Sequence, residues 1–144
     1  MERKVIVLFI MLLVPLSAIA SQFTVNGDGT VSDNSTGLMW QQEDDSVFRT
    51  WEKAISYCEN LVLPPSKYSD WRLPDIKELR TIVAKGKYNP SIDSKAFPNT
   101  KSSNYWSSRE VNNALAWYMS FYDGAENNDF KITEFYVRCV RGGK

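Results

Sequence analysis

Asp70-Trp71-Arg72-Leu73-Pro74-Asp75-Ile76-Lys77-Glu78-Leu79 is the stretch on which the fold turns. Asp75 followed three residues later by Glu78 has the order of a capping box: an acceptor for the free N–H groups of a first helical turn, and a glutamate that reaches back to the capping residue. Ile76, Leu79, Ile82 and Val83 then fall on one helical stripe, and Gly86 supplies a stop. The spacing predicts a helix from Pro74 or Asp75 to about Gly86. The bulky Trp71 and Leu73 before it belong to no amphipathic helix and read as a packed corner.

Upstream, Thr50 is a plausible cap for an earlier helix reaching about Leu63. Trp51, Ala54, Ile55, Cys58, Leu61 and Val62 keep i, i+3, i+4, i+7 spacing, and Pro64-Pro65 ends it. Before that helix, Phe23-Thr24-Val25 and Thr30-Val31-Ser32-Asp33 flank the turn Asn26-Gly27-Asp28-Gly29, and Leu38-Met39-Trp40-Gln41 continues a β-meander. Downstream, Pro90 and Pro98 keep the segment from Tyr88 to Ser103 irregular. Tyr105-Trp106-Ser107 is a short strand, and Ala114 to Tyr122 alternates with Trp117, Met119 and Phe121 on one face. Asp123 to Asp129 is a polar loop, and Phe135 to Val140 is a last strand with Phe135, Val137 and Cys139 inward. Strands, two helices, then strands make an α+β domain.

The N-terminus reads as a secretory leader. Arg3 and Lys4 precede an apolar run from Val5 to Leu16, and Ala18-Ile19-Ala20 is a small-x-small cleavage site. A bilayer-spanning helix takes about 20 apolar residues, so cleavage after Ala20 is favoured over an uncleaved anchor. Position 21 is Ser21 rather than the cysteine that lipid attachment requires. The expected division is a signal peptide over 1–20 and one domain over 21–144, periplasmic or secreted, that meets the membrane only transiently. Losing Glu2, Arg3 and Lys4 turns 17 basic against 17 acidic residues into 15 against 16. Such a balance excludes the basic excess typical of nucleic-acid binding. Cys58 and Cys139 are the two cysteines, and an even pair in an oxidising compartment predicts a disulfide.

Several ordered blocks resemble the Lcl C-terminal domain family, found in exported bacterial proteins and at the end of a collagen-like adhesin. They are Gly27-Asp28-Gly29-Thr30-Val31-Ser32-Asp33 with Thr36-Gly37-Leu38-Met39-Trp40, then Asp70-Trp71-Arg72-Leu73-Pro74 with Glu78-Leu79. Phe97-Pro98, Tyr105-Trp106-Ser107-Ser108, Trp117 and Tyr136-Val137-Arg138-Cys139-Val140-Arg141 complete the series. The resemblance covers nearly all of the chain after the leader. It implies a C-type-lectin-like fold, with two helices packed on a small twisted antiparallel sheet and a long loop region above it. For most members no activity is established; in the adhesin such a domain is linked to sulfated glycans. The chain departs from the adhesin in having no Gly-x-y repeat, and it lacks the calcium-and-sugar motifs of animal C-type lectins.

With no histidine, Ser-His-Asp, Cys-His and histidine-ligated metal chemistry are unavailable. A pair of carboxylates could still serve a glycan hydrolase. Glu43-Asp44-Asp45, however, reads as a solvated acidic run. Trp40, Trp51, Trp71, Trp106 and Trp117 read as core. Arg72, Arg138 and Arg141, inside the family-like blocks, are expected in structural ion pairs or carbonyl contacts. No cofactor and no metal are expected. The candidate ligand residues form three groups. Lys85, Lys87, Lys101 and Arg109 could gather into a sulfate-binding patch, or stay scattered and solvated. Tyr118 and Tyr122 face away from Trp117. Asp123, Glu126, Asn127, Asn128 and Asp129 make the following stretch rich in oxygens, though without the ordered spacing of a calcium loop. The expected function is therefore an exported binding module for a glycan or an envelope protein. A carboxylate-based hydrolase and a structural envelope component are the alternatives.

Overall fold

The computed structural model describes residues 19–143; the expected leader lies outside the described residues as far as position 18. The β-meander forms as its turn chemistry demands. β1 (Phe23–Val25) pairs antiparallel with β2 (Thr30–Asp33), which pairs with β3 (Met39–Gln41). Gly27 and Gly29 in the first turn have φ of +77° and +84°, a region that favours glycine. Helix α1 (Trp51–Glu59) and helix α2 (Ile76–Thr81) follow, then β4 (Asn104–Glu110), β5 (Leu115–Ser120), β6 (Glu126–Phe130) and β7 (Val140–Arg141).

The architecture is α+β, but with two small antiparallel sheets where one was expected. One has the order β1-β2-β3-β7 and the other β4-β5-β6. The expected last strand from Phe135 to Val140 is divided between them. Tyr136 makes a parallel bridge to Tyr105 on β4, Phe135 bridges Arg49, and only Val140 and Arg141 join β3. This segment is the seam that joins the two sheets.

Both helices are shorter than their apolar stripes suggest. α1 stops at Glu59, with Asn60 as its cap, four residues short of the expected end, and leaves Val62 67% exposed. α2 stops once Val83 bridges Ile92 in an antiparallel turn. The capping box is complete. Asp75 Oδ1 accepts from the Lys77 N–H at 2.8 Å, and Glu78 Oε1 accepts from the Asp75 N–H at 2.8 Å. Thr50 occupies the cap position of α1 without a side-chain hydrogen bond. The polar stretch from Asp123 is only partly a loop, since its second half is β6.

The alternation along β5 gives each face of the second sheet its own core. Met119 and Phe121, with Trp117 packed beside them, join Trp40, Leu79, Ile92, Phe97 and Tyr105. Ala116, with Tyr118 beside it, joins Trp51, Trp71, Trp106, Val137 and the two cysteines. Trp40 and Trp106 are fully buried, and burying about 200 Å² of ring contributes roughly 5 kcal/mol each. Cys58 on α1 is bonded to Cys139 beside β7, with an S–S distance of 2.07 Å and a Cα–Cα distance of 5.4 Å.

The three arginines take the structural roles expected of them. Arg72 forks onto Glu78 with two bonds of 2.7 Å, and Arg141 pairs with Asp70 at 2.6 Å. Arg138 is fully buried and donates to the carbonyls of Gln41 and Gln42. The acidic run around it is not uniformly solvated. Asp44 has a side chain only 2% exposed, accepts from the Tyr105 hydroxyl at 2.6 Å and faces Arg138 at 3.4 Å.

Candidate functional site

The segment after α2 and the turn after β5 meet in a groove of about 340 Å³. The first wall is built by short-range bonds. The capping box fixes α2, which sets Arg80 in its last turn; Gly86, at φ +80°, then turns the chain, and the Ala84 N–H donates to the Ser91 carbonyl at 3.0 Å. The tip of this segment docks on the end of β5 through the Asn89 N–H to the Tyr122 carbonyl (2.9 Å) and the Ser91 N–H to the Phe121 carbonyl (2.7 Å). The opposite wall is the turn from Ser120 to Ala125. Asp123 Oδ1 accepts from the Ala125 N–H at 3.0 Å there, and the Gly124 N–H donates to the Ser120 carbonyl at 2.8 Å.

Gly124 is where the walls touch. Its φ is +81°, and a Cβ there would lie 2.7 Å from Val83 Cγ1 and 3.0 Å from Ser91 Oγ, a hydroxyl that is buried without a hydrogen-bond partner. Gly124→Ala is expected to lower stability by about 1–3 kcal/mol through backbone strain and overpacking. Urea unfolding followed by tryptophan fluorescence measures it, and a change below about 0.5 kcal/mol would show that the contact yields freely.

Lys85 and Lys87 are exposed on the groove and form no ion pair with any described residue. Tyr88, 69% exposed, lies beside them, and Tyr122, 55% exposed, sits on the strand end that carries the loop tip. Glu126 crosses the groove mouth to Arg80, accepting from Nε at 2.5 Å and from Nη2 at 2.9 Å. That fork holds the Glu126 carboxyl below its ordinary range. Asp123 lines the same groove.

The remaining sequence candidates lie elsewhere. Lys101 precedes β4, where its N–H donates to the Tyr105 hydroxyl, and Arg109 forks onto Asp75 at the start of α2, at 3.1 and 2.9 Å. Tyr118 packs between Trp106 and Phe135, and burial pushes its phenol upward. Asn127 and Asp129 turn their side chains onto β6 itself: Asn127 Oδ1 accepts from the Asn128 N–H at 2.8 Å, and Asp129 Oδ1 from the Phe130 N–H at 2.7 Å. Asn128 stands opposite Trp117 on β5. Among the described residues no three acidic or thiol side chains converge to hold a metal ion.

Arg80, Tyr88 and Ser91 join the groove without having been singled out in the sequence. Tyr88, an aromatic flanked by Lys87 and the Asn89-Pro90 turn, carried a local signal; Arg80 did not, because its partner lies 46 residues away. A larger groove of about 540 Å³ opens beside Trp71, Gly142 and Gly143. Its one cation, Arg72, is already committed to Glu78 and its Asp70 to Arg141, which leaves only the acidic Glu59 unpaired among the described residues.

A comparison with curated proteins found no match. The family model described as the Lcl C-terminal domain matches residues 29–141, a span that takes in both walls of the groove and both cysteines. With most of its length inside that match, the chain belongs to the Lcl C-terminal domain family.

Proposed function

We propose that this chain is an exported, non-catalytic binding module that takes an anionic glycan, of the sulfated or cell-surface kind, in the groove between residues 80–91 and 122–126. The observation that carries this reading is the pair of uncommitted lysines, Lys85 and Lys87, on a groove edged by the exposed Tyr88. Lysines offer point charges to a sulfate, and a tyrosine ring offers an apolar face with a polar tip to a sugar. The two helices, two antiparallel sheets and the tie from α1 to the end of the chain support a C-type-lectin-like arrangement for this domain. The disulfide fits a non-cytoplasmic compartment, and no helix of the described residues is long and apolar enough to cross a membrane. A periplasmic or secreted location after cleavage at Ala20, with a domain over 21–144, completes the proposal.

A carboxylate hydrolase would draw on the same groove through Asp123 and Glu126. It fits less well, because a general acid needs a raised pKa and the Arg80 fork lowers that of Glu126.

The test is titration of a heparin-derived oligosaccharide into the exported protein at low and at high salt. Binding is expected to fall as salt rises. The double change Lys85→Ala/Lys87→Ala is expected to weaken it about tenfold, the worth of two exposed ionic contacts. Equal binding by that variant, or capture of an envelope protein with no glycan bound, would sink the assignment.

A further inference from the structure

The Arg80–Glu126 pair has the geometry of a ligand contact made within the chain. Arg80 presents two N–H groups side by side, and Glu126 takes both, at 2.5 and 2.9 Å. A planar fork of that kind receives the paired oxygens of a carboxylate, a sulfate or a phosphate equally well. The two side chains come from different elements, the last turn of α2 and the first residue of β6, and both line the groove that carries Lys85 and Lys87. They are also open to water, at 57% and 25% exposure, so the pair is weakly held and its oxygens are exchangeable.

We propose that Glu126 is an intramolecular competitor: it occupies the anion subsite on Arg80, and a bound ligand displaces it with an oxyanion of its own. This deepens the binding reading above and rests on it. The charge count around the groove gives the direction of the effect. Arg80, Lys85 and Lys87 stand against Asp123 and Glu126, so neutralising Glu126 doubles the net positive charge from one to two. It also frees the one bidentate donor in the groove. The ligand class is narrowed accordingly: a glycan bearing an oxyanion that can accept two parallel N–H bonds, with a second anionic or polar group in reach of the lysines. A neutral glycan gains nothing from the exchange.

The experiment titrates the same heparin-derived oligosaccharide, at low salt, into wild type, Glu126→Gln, Arg80→Gln and the double variant. Glutamine keeps the shape of the side chain, and thermal unfolding confirms that each variant is folded. Glu126→Gln is expected to bind about fivefold more tightly than wild type, the equivalent of one exposed ionic contact. Arg80→Gln is expected to bind more weakly. The gain from Glu126→Gln is expected to vanish in the Arg80→Gln background, a dependence that a merely structural role for Glu126 would not produce. Binding by Glu126→Gln alone, with wild type silent, also supports the proposal. Unchanged or weaker binding by Glu126→Gln, while Lys85→Ala/Lys87→Ala still weakens wild type, overturns the competitor and leaves the groove assignment standing. Silence of every variant overturns the groove assignment, and the competitor with it.

Discussion

Arg138→Met is expected to lower the unfolding free energy by roughly 3–5 kcal/mol, the cost of removing one partner from a buried charge pair. The residue is fully buried at the seam between the two sheets. Its guanidinium donates to the carbonyls of Gln41 and Gln42 and to Thr100 Oγ1 at 2.8 Å, and it faces Asp44 at 3.4 Å. Ring faces of Phe97 and Tyr105 lie 5.1 and 5.9 Å away. Methionine fills part of the volume but takes the guanidinium away from two carbonyls, and leaves a nearly inaccessible carboxylate with the Tyr105 hydroxyl and no countercharge. The Tyr105 phenol cannot replace it, since its one hydroxyl proton already goes to Asp44. Lysine at this position keeps the charge and loses the planar fork, so Arg138→Lys is expected to recover only part of the loss. Equilibrium urea unfolding measures both. A loss under 1 kcal/mol for Arg138→Met would mean that water or rearranged carbonyls serve the network without it. The double variant with Asp44→Ala provides the coupling, and is expected to cost less than the sum of the single changes.

The second large effect belongs to the disulfide. Cys58 and Cys139 are separated by 81 positions, and closing a loop of that length stabilises the fold by roughly 4.5 kcal/mol on the chain-entropy model. Cys58→Ala/Cys139→Ala is expected to lose an amount of that order. The bond also ties α1 to the strand region that spans both sheets, within an apolar cluster that includes Trp51, Trp71 and Trp106. Alanine, unlike serine, puts no hydroxyl into that cluster, so the variant isolates the cross-link from a burial penalty. Urea midpoints with and without reductant check it. Superimposable curves for reduced and oxidised wild type would remove the bridge from the account of stability.

The sequence made the local features legible and missed those that depend on distant partners. The capping box at Asp75, the hairpin at Asn26–Gly29 and the buried tryptophans are set by neighbours a few residues away or by sheer apolar size, and the structure contains them. Two cysteines allow one pairing. Asp44 was hidden because its partners, Tyr105 and Arg138, lie 61 and 94 residues on. In isolation, Glu43-Asp44-Asp45 has the composition of a solvated run. β6 was hidden for another reason: Glu126-Asn127-Asn128-Asp129-Phe130 sits at the edge of its sheet, so neither apolar alternation nor β-branched residues are needed to place it. The groove was half visible. Lys85, Lys87, Asp123 and Glu126 could be named from the sequence, but their meeting depends on the docking of the 84–91 segment onto β5. No local pattern encodes that contact.

The side chains of Asn127 and Asp129 bear on how this protein behaves among copies of itself. The register with β5 directs the N–H groups of Asn128 and Phe130 away from the sheet, toward its open side, and there each is taken by the side-chain oxygen of the preceding residue. An incoming strand would find those donors already spoken for. A bare sheet edge is a template for further strands, and the consequence of that template is fibre or amorphous aggregate. Polarity that resembles a ligand loop in the sequence thus acts as a guard on the rim, blocking part of the edge against pairing between copies.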